Sequence, residues 1–501
     1  MFHSKASFNL RHASNSVRTV NSFLSTCLNN LQKGEVKPFN EIPGPAPSLP
    51  LFGTSWQYYV GRYNLFKFHE ANIDKYHRYG PIVKEEFEGR KPVVLVFEPK
   101  DFETVFRSQG KYPIRPPNEF VCHFRKHNPD KYPTVGISNL QGEEWLAERK
   151  PLSSAFSKHI IDKCFPPQNK IAEDFVDYLW KIRDANNVVN NVQEETYLLS
   201  IEALSMLCFN SRLNCFSQKA SIDGKQLIAA TKKLFESYQE LYYGLPVWKI
   251  APKFSKAYQK YVRAEEAIYN LTSKYIVNAM EKGNGESVLE LLLSSKKLSE
   301  KEVRTTIIDF LAGGTTTTST TMAYTLQNLA NNFTAQKRLQ EELDSSLSDS
   351  ESLTLDKLNS FSYLKACVKE VFRLSSTIPS IVRILPEDVV LSGYRVPAGT
   401  PIFCCSYVTS RVSKFFEEPL KFKPERWFRH SRTHNPYSSL PFGFGTRQCI
   451  GRWFSELLLH TATANILRKY KLESVTADVE SIHSFILVPE SPIKIKITPR
   501  K

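Results

Sequence analysis

Apolar residues recur at helical spacing from about Asn64 to Tyr79. The run "PVVLVFEP", Pro92 to Pro99, is continuous, short and bounded by prolines, which predicts a buried strand. From Gln141 to about Thr354 nearly the whole chain reads as helix, with breaks near "NNVVNN", "YYGLPVW" and "KGNG". A second helical block runs from Leu355 to Ser375. Short strands are expected between Val382 and Cys405, with turn signals at Gly393 and Gly399. One more helix should end near Arg468, and the remainder reads as extended. The pattern is mainly α with small β-sheets. Without a low-complexity linker or an internal repeat, it predicts a single large domain.

The chain has 501 residues, 41% of them apolar, ample for a large core. Its net charge of +15 suits nucleic acid, an anionic membrane or an acidic protein, and does not choose among them. The nine cysteines are an odd number without a C-x-x-C pair. Only Cys404 and Cys405 are neighbours, which argues for a reducing compartment and against a disulfide scaffold or zinc module. No segment has the ~18 continuous apolar residues of a membrane span. The first 34 residues hold Lys5, Arg11, Arg18, Lys33 and six serines, with no Asp or Glu. That is the composition of a mitochondrial transit peptide, expected to cover residues 1–36 and to leave a folded chain over 37–501.

The chemistry concentrates in "PFGFGTRQCIGRW", Pro441 to Trp453. Gly443, Gly445 and Gly451 strip side chains from the backbone around Cys449, as a flat ligand lying against it would require. Arg447 adds a cation, and the helix expected from Ile450 would turn its N-terminal dipole toward the sulfur. A phosphate loop fits poorly: Gln448 stands where the third glycine belongs, and no Walker lysine follows. A lone thiolate in a glycine loop, without a second Cys or His ligand, suits haem iron held by one protein ligand. Three further pairings are spaced to share a helix face or cluster: Trp145 with Arg149, Glu370 with Arg373, and Asp309 with the "AGGTTTT" run. Two glycines inside a helix cost about 1 kcal/mol each against alanine, so something packs closely there.

The pattern met by Phe442, Gly445, Arg447, Cys449 and Gly451 resembles the haem-binding loop of the cytochromes P450, and the other motifs follow in that family's order. The resemblance implies a P450 fold and haem b, with Cys449 as the axial thiolate to iron. It implies Phe442, Gly443 and Arg447 against the haem, and Trp145, Arg149 and Arg383 at its propionates. It implies a buried brace of Glu370, Arg373 and Arg426, and Thr317 as the oxygen-activating threonine. Thr316 replaces the usual Asp or Glu beside it, which puts the proton route in question, and Asp309 lies seven residues earlier.

Lys365 and Lys369, four residues apart, match the lysines with which the mitochondrial branch meets its adrenodoxin-like ferredoxin. Arg452 fits that branch, although Trp453 replaces its second arginine. Stretches such as "LFESYQELYYGLPVWKIAP" are similar to the arthropod ecdysteroid hydroxylases. That likeness implies a steroid substrate, ecdysone hydroxylated at carbon 20 above all, and electrons from NADPH through a reductase and ferredoxin; the alternatives are another mitochondrial ecdysteroid-precursor hydroxylase, a xenobiotic-oxidising mitochondrial P450 and a haem binder without turnover. It further implies peripheral attachment to the matrix side of the inner mitochondrial membrane, with "YYGLPVW" dipping in, and no nucleic-acid partner. By the same analogy the substrate pocket would draw on the 112–140 loop, the 235–250 segment, Phe310, Gly313, the stretch after Ser376, and Phe485 to Val488.

Overall fold

The computed structural model describes residues 36–50, 52–87, 91–217, 222–244, 246–283, 287–348, 351–431, 433–476 and 478–500. The acid-free leader lies outside the described residues. The helices that shape the site are α1 (Glu119–Lys126), α2 (Gly142–Ala155), α3 (Val192–Phe209), α4 (Ile222–Tyr243), α5 (Lys256–Lys282), α6 (Glu300–Asn331), α7 (Ser362–Leu374) and α8 (Arg452–Lys469). The strands are β1 (Ile82–Phe87), β2 (Lys91–Val96), β3 (Ile381–Ile384), β4 (Pro401–Cys404), β5 (Ser481–Ser484) and β6 (Ile486–Pro489).

The central element is α6. Its start is fixed by a capping box, in which the Ser299 and Glu302 side chains each bond the other's backbone N–H. It is buried over most of its length although it is rich in threonine. The hydroxyls of Thr315, Thr317, Thr321 and Thr325 each donate to the carbonyl four residues back, at 2.6–2.9 Å, so they need no partner from the core. The two glycines serve different purposes. A Cβ on Gly314 would stand 3.1 Å from Leu204 of α3, whereas one on Gly313 would meet nothing within 4 Å. Gly314 therefore lets α3 pack against α6, and Gly313 leaves a gap on the opposite side.

Four strands form one sheet in the order β1-β2-β4-β3, with β2 and β4 parallel and the outer pairs antiparallel. The strand expected to reach Pro99 stops at Val96, because Pro99 opens a helix over Pro99–Arg107. Its antiparallel neighbour β1 carries no clear apolar alternation and was not legible in the pattern. Cys404 and Cys405 fall into different apolar clusters on the two faces of this sheet, as alternation along a strand requires. The helical region breaks where expected, and also after Phe209, where Asn210 takes a left-handed conformation that ends α3.

Glu370 of α7 is fully buried and saturated. Its carboxylate accepts from Arg373 at 2.7 and 2.9 Å, Arg426 at 3.0 Å, Trp427 Nε1 at 2.9 Å and the Lys423 N–H at 3.0 Å. Arg373 also donates to the carbonyls of Ser410 and Pro419, each at 2.6 Å. One carboxylate thus ties α7 to the irregular chain that leads into the cysteine loop. Removing one partner strands the others' charges in the core, at about 3–5 kcal/mol. Glu370→Ala should lower the urea-unfolding free energy by that amount; a loss below about 1 kcal/mol would show that the ties are replaceable by water.

Candidate active site

A cavity of about 830 Å³ lies between α6 and the cysteine loop. That is at the upper end of the roughly 300–1,000 Å³ of pockets that enclose small molecules. α2, α4, β3, the end of α7 and the β5–β6 hairpin complete its wall. On one side stands Cys449, whose N–H bonds the Phe442 carbonyl at 2.8 Å to close the loop. The exposed face of its sulfur opens onto this cavity. Gly443 and Gly445 have φ of 74° and 78°, a left-handed conformation that side chains resist. A Cβ on Gly445 would also stand 2.5 Å from the Gln109 amide. The phenyl ring of Phe442 is fixed edge-on against Phe372 of α7, with centroids 5.0 Å apart.

The loop alone does not make a thiolate. Burial pushes the Cys449 thiol up, and the Gly451 amide followed by Arg149, Arg115 and Arg452 pull it back only in part. α8 begins at Arg452, three residues beyond Cys449, so the helix N-terminus helps less than the sequence suggested. A bound metal ion would complete the deprotonation, since a coordinating thiol gives up its proton.

Besides Arg125, four arginines line the same cavity: Arg115, Arg149, Arg383 and Arg447. They bond neutral acceptors. Arg115 reaches the Ser138 carbonyl at 2.7 and 3.0 Å, and Arg149 the Gln448 carbonyl at 2.7 Å. Arg383 reaches Gln109 Oε1 at 3.0 Å, and Arg447 the Leu140 carbonyl and Gln141 Oε1. Among the described residues none of the four is paired with a carboxylate, and Arg447 Nε is buried without a partner. Burial, then repulsion from Arg115, lowers Arg383 to about 10; burial with Arg115, Arg383 and Arg149 lowers Arg447 to about 9. Trp145, fully buried, lies flat under Arg447 at 4.4 Å.

This donor set fits haem. The cavity offers one soft ligand, a flat glycine wall and an excess of buried cation suited to two carboxylates. No group of three or more His, Cys, Asp or Glu side chains that could hold a bare metal ion occurs among the described residues. Arg115, in the irregular "PIRPP" segment, has no motif around it and was missed by sequence reasoning.

α6 forms the opposite wall through Asp309, Gly313, Gly314, Thr317, Thr318 and Thr321. Thr317 Oγ1 donates to the Gly313 carbonyl at 2.8 Å, so its lone pairs remain available. Thr316 does not line the cavity. It is buried, and the hydroxyl of Tyr197 of α3 is the polar group its own hydroxyl faces. Asp309 is held by Arg125 of α1 at 2.6 Å, and the same guanidinium bonds Glu265 of α5 at 2.7 and 3.0 Å. Gly136 makes room for the pair: a Cβ there would stand 2.2 Å from Asp309 Oδ2 and 2.3 Å from Arg125 Nη1. Next to them Glu148 of α2, nearly fully buried, accepts from Thr306 at 3.3 Å and Thr134 at 3.5 Å.

Residues 43–497 match the family model of Cytochrome P450. The chain is a cytochrome P450. It is 32% identical over 484 residues to ecdysone 20-monooxygenase of Drosophila melanogaster, covering 92% of this chain and 88% of that one. It is 29% identical over 477 residues to the mitochondrial cytochrome P450 302a1 of Drosophila melanogaster, covering 93% and 96%. It is 27% identical over 493 residues to the mitochondrial cholesterol side-chain cleavage enzyme of Mesocricetus auratus, covering 94% and 92%. Like the family, this P450 carries haem whose iron takes a cysteine thiolate, and its fold is the α-rich single domain expected from the sequence.

The Glu148 carboxyl is raised from 4.5 to about 7, by burial first and then by Asp309. Because its folded-state value is the higher one, ionisation works against folding. The penalty is absent below about pH 4.5, grows toward pH 7 and is constant above it. At ~1.4 kcal/mol per pH unit it amounts to about 3 kcal/mol. Glu148→Gln should therefore be more stable than wild type at pH 8 by about 1–3 kcal/mol and equal to it near pH 4.5, as read from urea unfolding. Equal stability at both pH values would place the charge in a better solvated site.

Proposed function

We propose that this P450 is a mitochondrial steroid hydroxylase fed by a ferredoxin, with the conversion of ecdysone to 20-hydroxyecdysone as its reaction. The observation that carries the reading is the near-full-length similarity to ecdysone 20-monooxygenase, joined to mitochondrial relatives at comparable identity. In this reading Cys449 ligates the haem iron. Arg149, Arg383, Arg447 and Arg115 neutralise the haem carboxylates, and Trp145 holds Arg447 in place. Phe442 and Gly443 present the flat wall. When bound, haem supplies the oxygen chemistry: with two electrons and two protons, one atom of O2 enters a C–H bond and the other leaves as water.

The chain's own residues position the substrate, exclude water and move protons. Thr317 is the hydroxyl best placed to hold a proton donor over the cavity. Thr316, turned toward Tyr197, takes part only through that hydroxyl neighbourhood and holds no charge. The relay therefore works with neutral groups, and part of the reducing power should escape as peroxide.

Lys369 is exposed and Lys365 half-buried on the outer face of α7. Burial first, then Lys158 and Lys369, lowers the Lys365 ammonium, so Lys158 belongs to the same basic patch. α7 reaches the cysteine loop through Glu370 and through Phe372 against Phe442. A ferredoxin on this patch would sit one helix away from the sulfur. Exposed Phe52, Tyr59, Val60 and Phe66, with Val247, Ile250 and Phe254, supply an apolar surface for the membrane; Tyr59 OH reaches the Tyr243 carbonyl between the two segments. No helix of the described residues is long and apolar enough to span a bilayer.

Reconstitution with ferredoxin, its reductase, NADPH and a panel of ecdysteroids, read by mass, tests the reading. Ecdysone gaining one oxygen, with NADPH consumed in excess of product and no product from Cys449→Ala, is expected. Turnover of every steroid but ecdysteroids would redirect the substrate. Replacing Lys365 and Lys369 with Gln should weaken ferredoxin binding about tenfold at low salt, leave steroid binding unchanged and flatten the salt dependence of turnover. An equal loss in the steroid titration would make these lysines structural.

A further inference from the structure

The wall of the cavity away from Cys449 is mostly aromatic: Phe68, Phe87, Phe235, Tyr238, Tyr243 and Phe485. His483 of β5 lies among these rings, 94% buried, with centroids 6.2 Å from Phe68 and 5.9 Å from Tyr243. Its Nδ1 lies 2.9 Å from Oε1 of Gln239, which projects from α4 and is itself buried.

The tautomer of His483 follows from one further bond. The same Gln239 oxygen takes the N–H of Phe485 at 2.8 Å. A backbone N–H can only donate, so the atom facing it must be the amide oxygen and not the amide nitrogen. That oxygen can only accept, so Nδ1 of His483 must carry the proton. Burial lowers the imidazole to about 4, and the ring is neutral at physiological pH. A neutral ring protonated at Nδ1 bears a bare lone pair on Nε2. With the Nδ1 edge committed to Gln239, the Nε2 edge is the one left for the cavity that His483 lines.

The hairpin is held firmly enough to make this acceptor a fixed point. Phe485, at its tip, has φ of 63°, a conformation costly for a bulky residue and maintained only where surrounding contacts impose it. Its ring packs against Phe235, Tyr238 and Tyr242 of α4, with centroids 5.0–5.8 Å away. The Leu487 N–H, directly across from His483, bonds the Thr377 carbonyl at 2.8 Å. At the open end Lys67 bonds Glu480 at 2.7 Å and Glu490 at 2.6 Å, one residue outside each strand.

We infer that His483 is a specificity-determining residue whose Nε2 accepts a hydrogen bond from one hydroxyl of the substrate, and that Gln239 is the positioning residue that fixes it as an acceptor. The ligand class is an apolar polycycle bearing a hydroxyl far from the carbon attacked. This rests on the steroid reading above and sharpens it: the site should prefer an alcohol to the matching ketone, because a ketone offers Nε2 no proton.

The test uses the full haem-loaded protein and two readouts. Calorimetric titration compares ecdysone with analogues in which one hydroxyl at a time is removed or oxidised to a ketone. In the wild type, one hydroxyl should matter by roughly tenfold in Kd for both changes. In His483→Phe that penalty should vanish while those of the other hydroxyls persist; His483→Gln, whose amide reaches toward the Nε2 position, should restore part of it. Independently, ¹⁵N shifts of labelled histidine should report an Nδ1–H, unprotonated Nε2 ring at pH 7. An Nε2–H tautomer, an imidazolium, or an unchanged set of penalties in both His483 variants overturns the proposal. Should His483→Phe fail to fold, the wild-type ¹⁵N measurement and the His483→Gln titrations decide it. A wild type with the expected tautomer that binds none of these steroids overturns the steroid reading instead.

Discussion

Four guanidinium groups share one cavity without a carboxylate among the described residues to answer them. Arg115, Arg149, Arg383 and Arg447 come from four separate stretches of chain, and burial first, with their mutual repulsion added, lowers two of them well below the usual arginine range. The fold tolerates this because each guanidinium has backbone carbonyls or side-chain amides to bond, although Arg447 Nε has none. Those bonds satisfy protons but leave the charge. The protein alone therefore carries an electrostatic debt at its centre, and a dianionic ligand removes it. Binding that ligand to the folded state alone also stabilises the fold by mass action.

The same reasoning applies to the sulfur. Burial opposes ionisation of Cys449, and its cationic neighbours offset only part of that cost. A metal ion, once present, would offset that cost by holding the sulfur as the thiolate. The Glu370 brace ensures that the loop is in position beforehand. It binds α7 to the chain preceding the loop, and α7 also meets Phe442, so the outer basic patch and the inner sulfur share one rigid support.

Across the cavity the polarity is reversed. Arg125 serves both Glu265 and Asp309, and beside them burial raises the Glu148 carboxyl to about 7. Between this acidic end and the arginines, α6 keeps its threonines folded back on their own carbonyls. The wall is thus polar in composition, but the hydroxyl protons of Thr317 and Thr321 are already committed to the helix and only their lone pairs remain for a ligand.

The helical periods, the loop around Cys449 and the E-x-x-R spacing in α7 were legible in the chain because each depends on neighbours a few residues apart. Local spacing sets the face of a helix, and glycine sets the local turn, so the fold class and the glycine loop around Cys449 could be read without coordinates. Thr316 and Asp309 were legible as positions but not as directions: only packing against α3 turns Thr316 from the cavity, and only Arg125, 184 residues from Asp309 in sequence, claims its carboxylate. Arg115 had no motif because its role is defined by three arginines distant in the chain. The tautomer of His483 depends on one amide oxygen shared between α4 and a hairpin 246 residues further on. Short-range geometry is written in the order of residues. Charge balance, hydroxyl direction and the placement of a single proton are sums over groups that only the tertiary structure brings within reach.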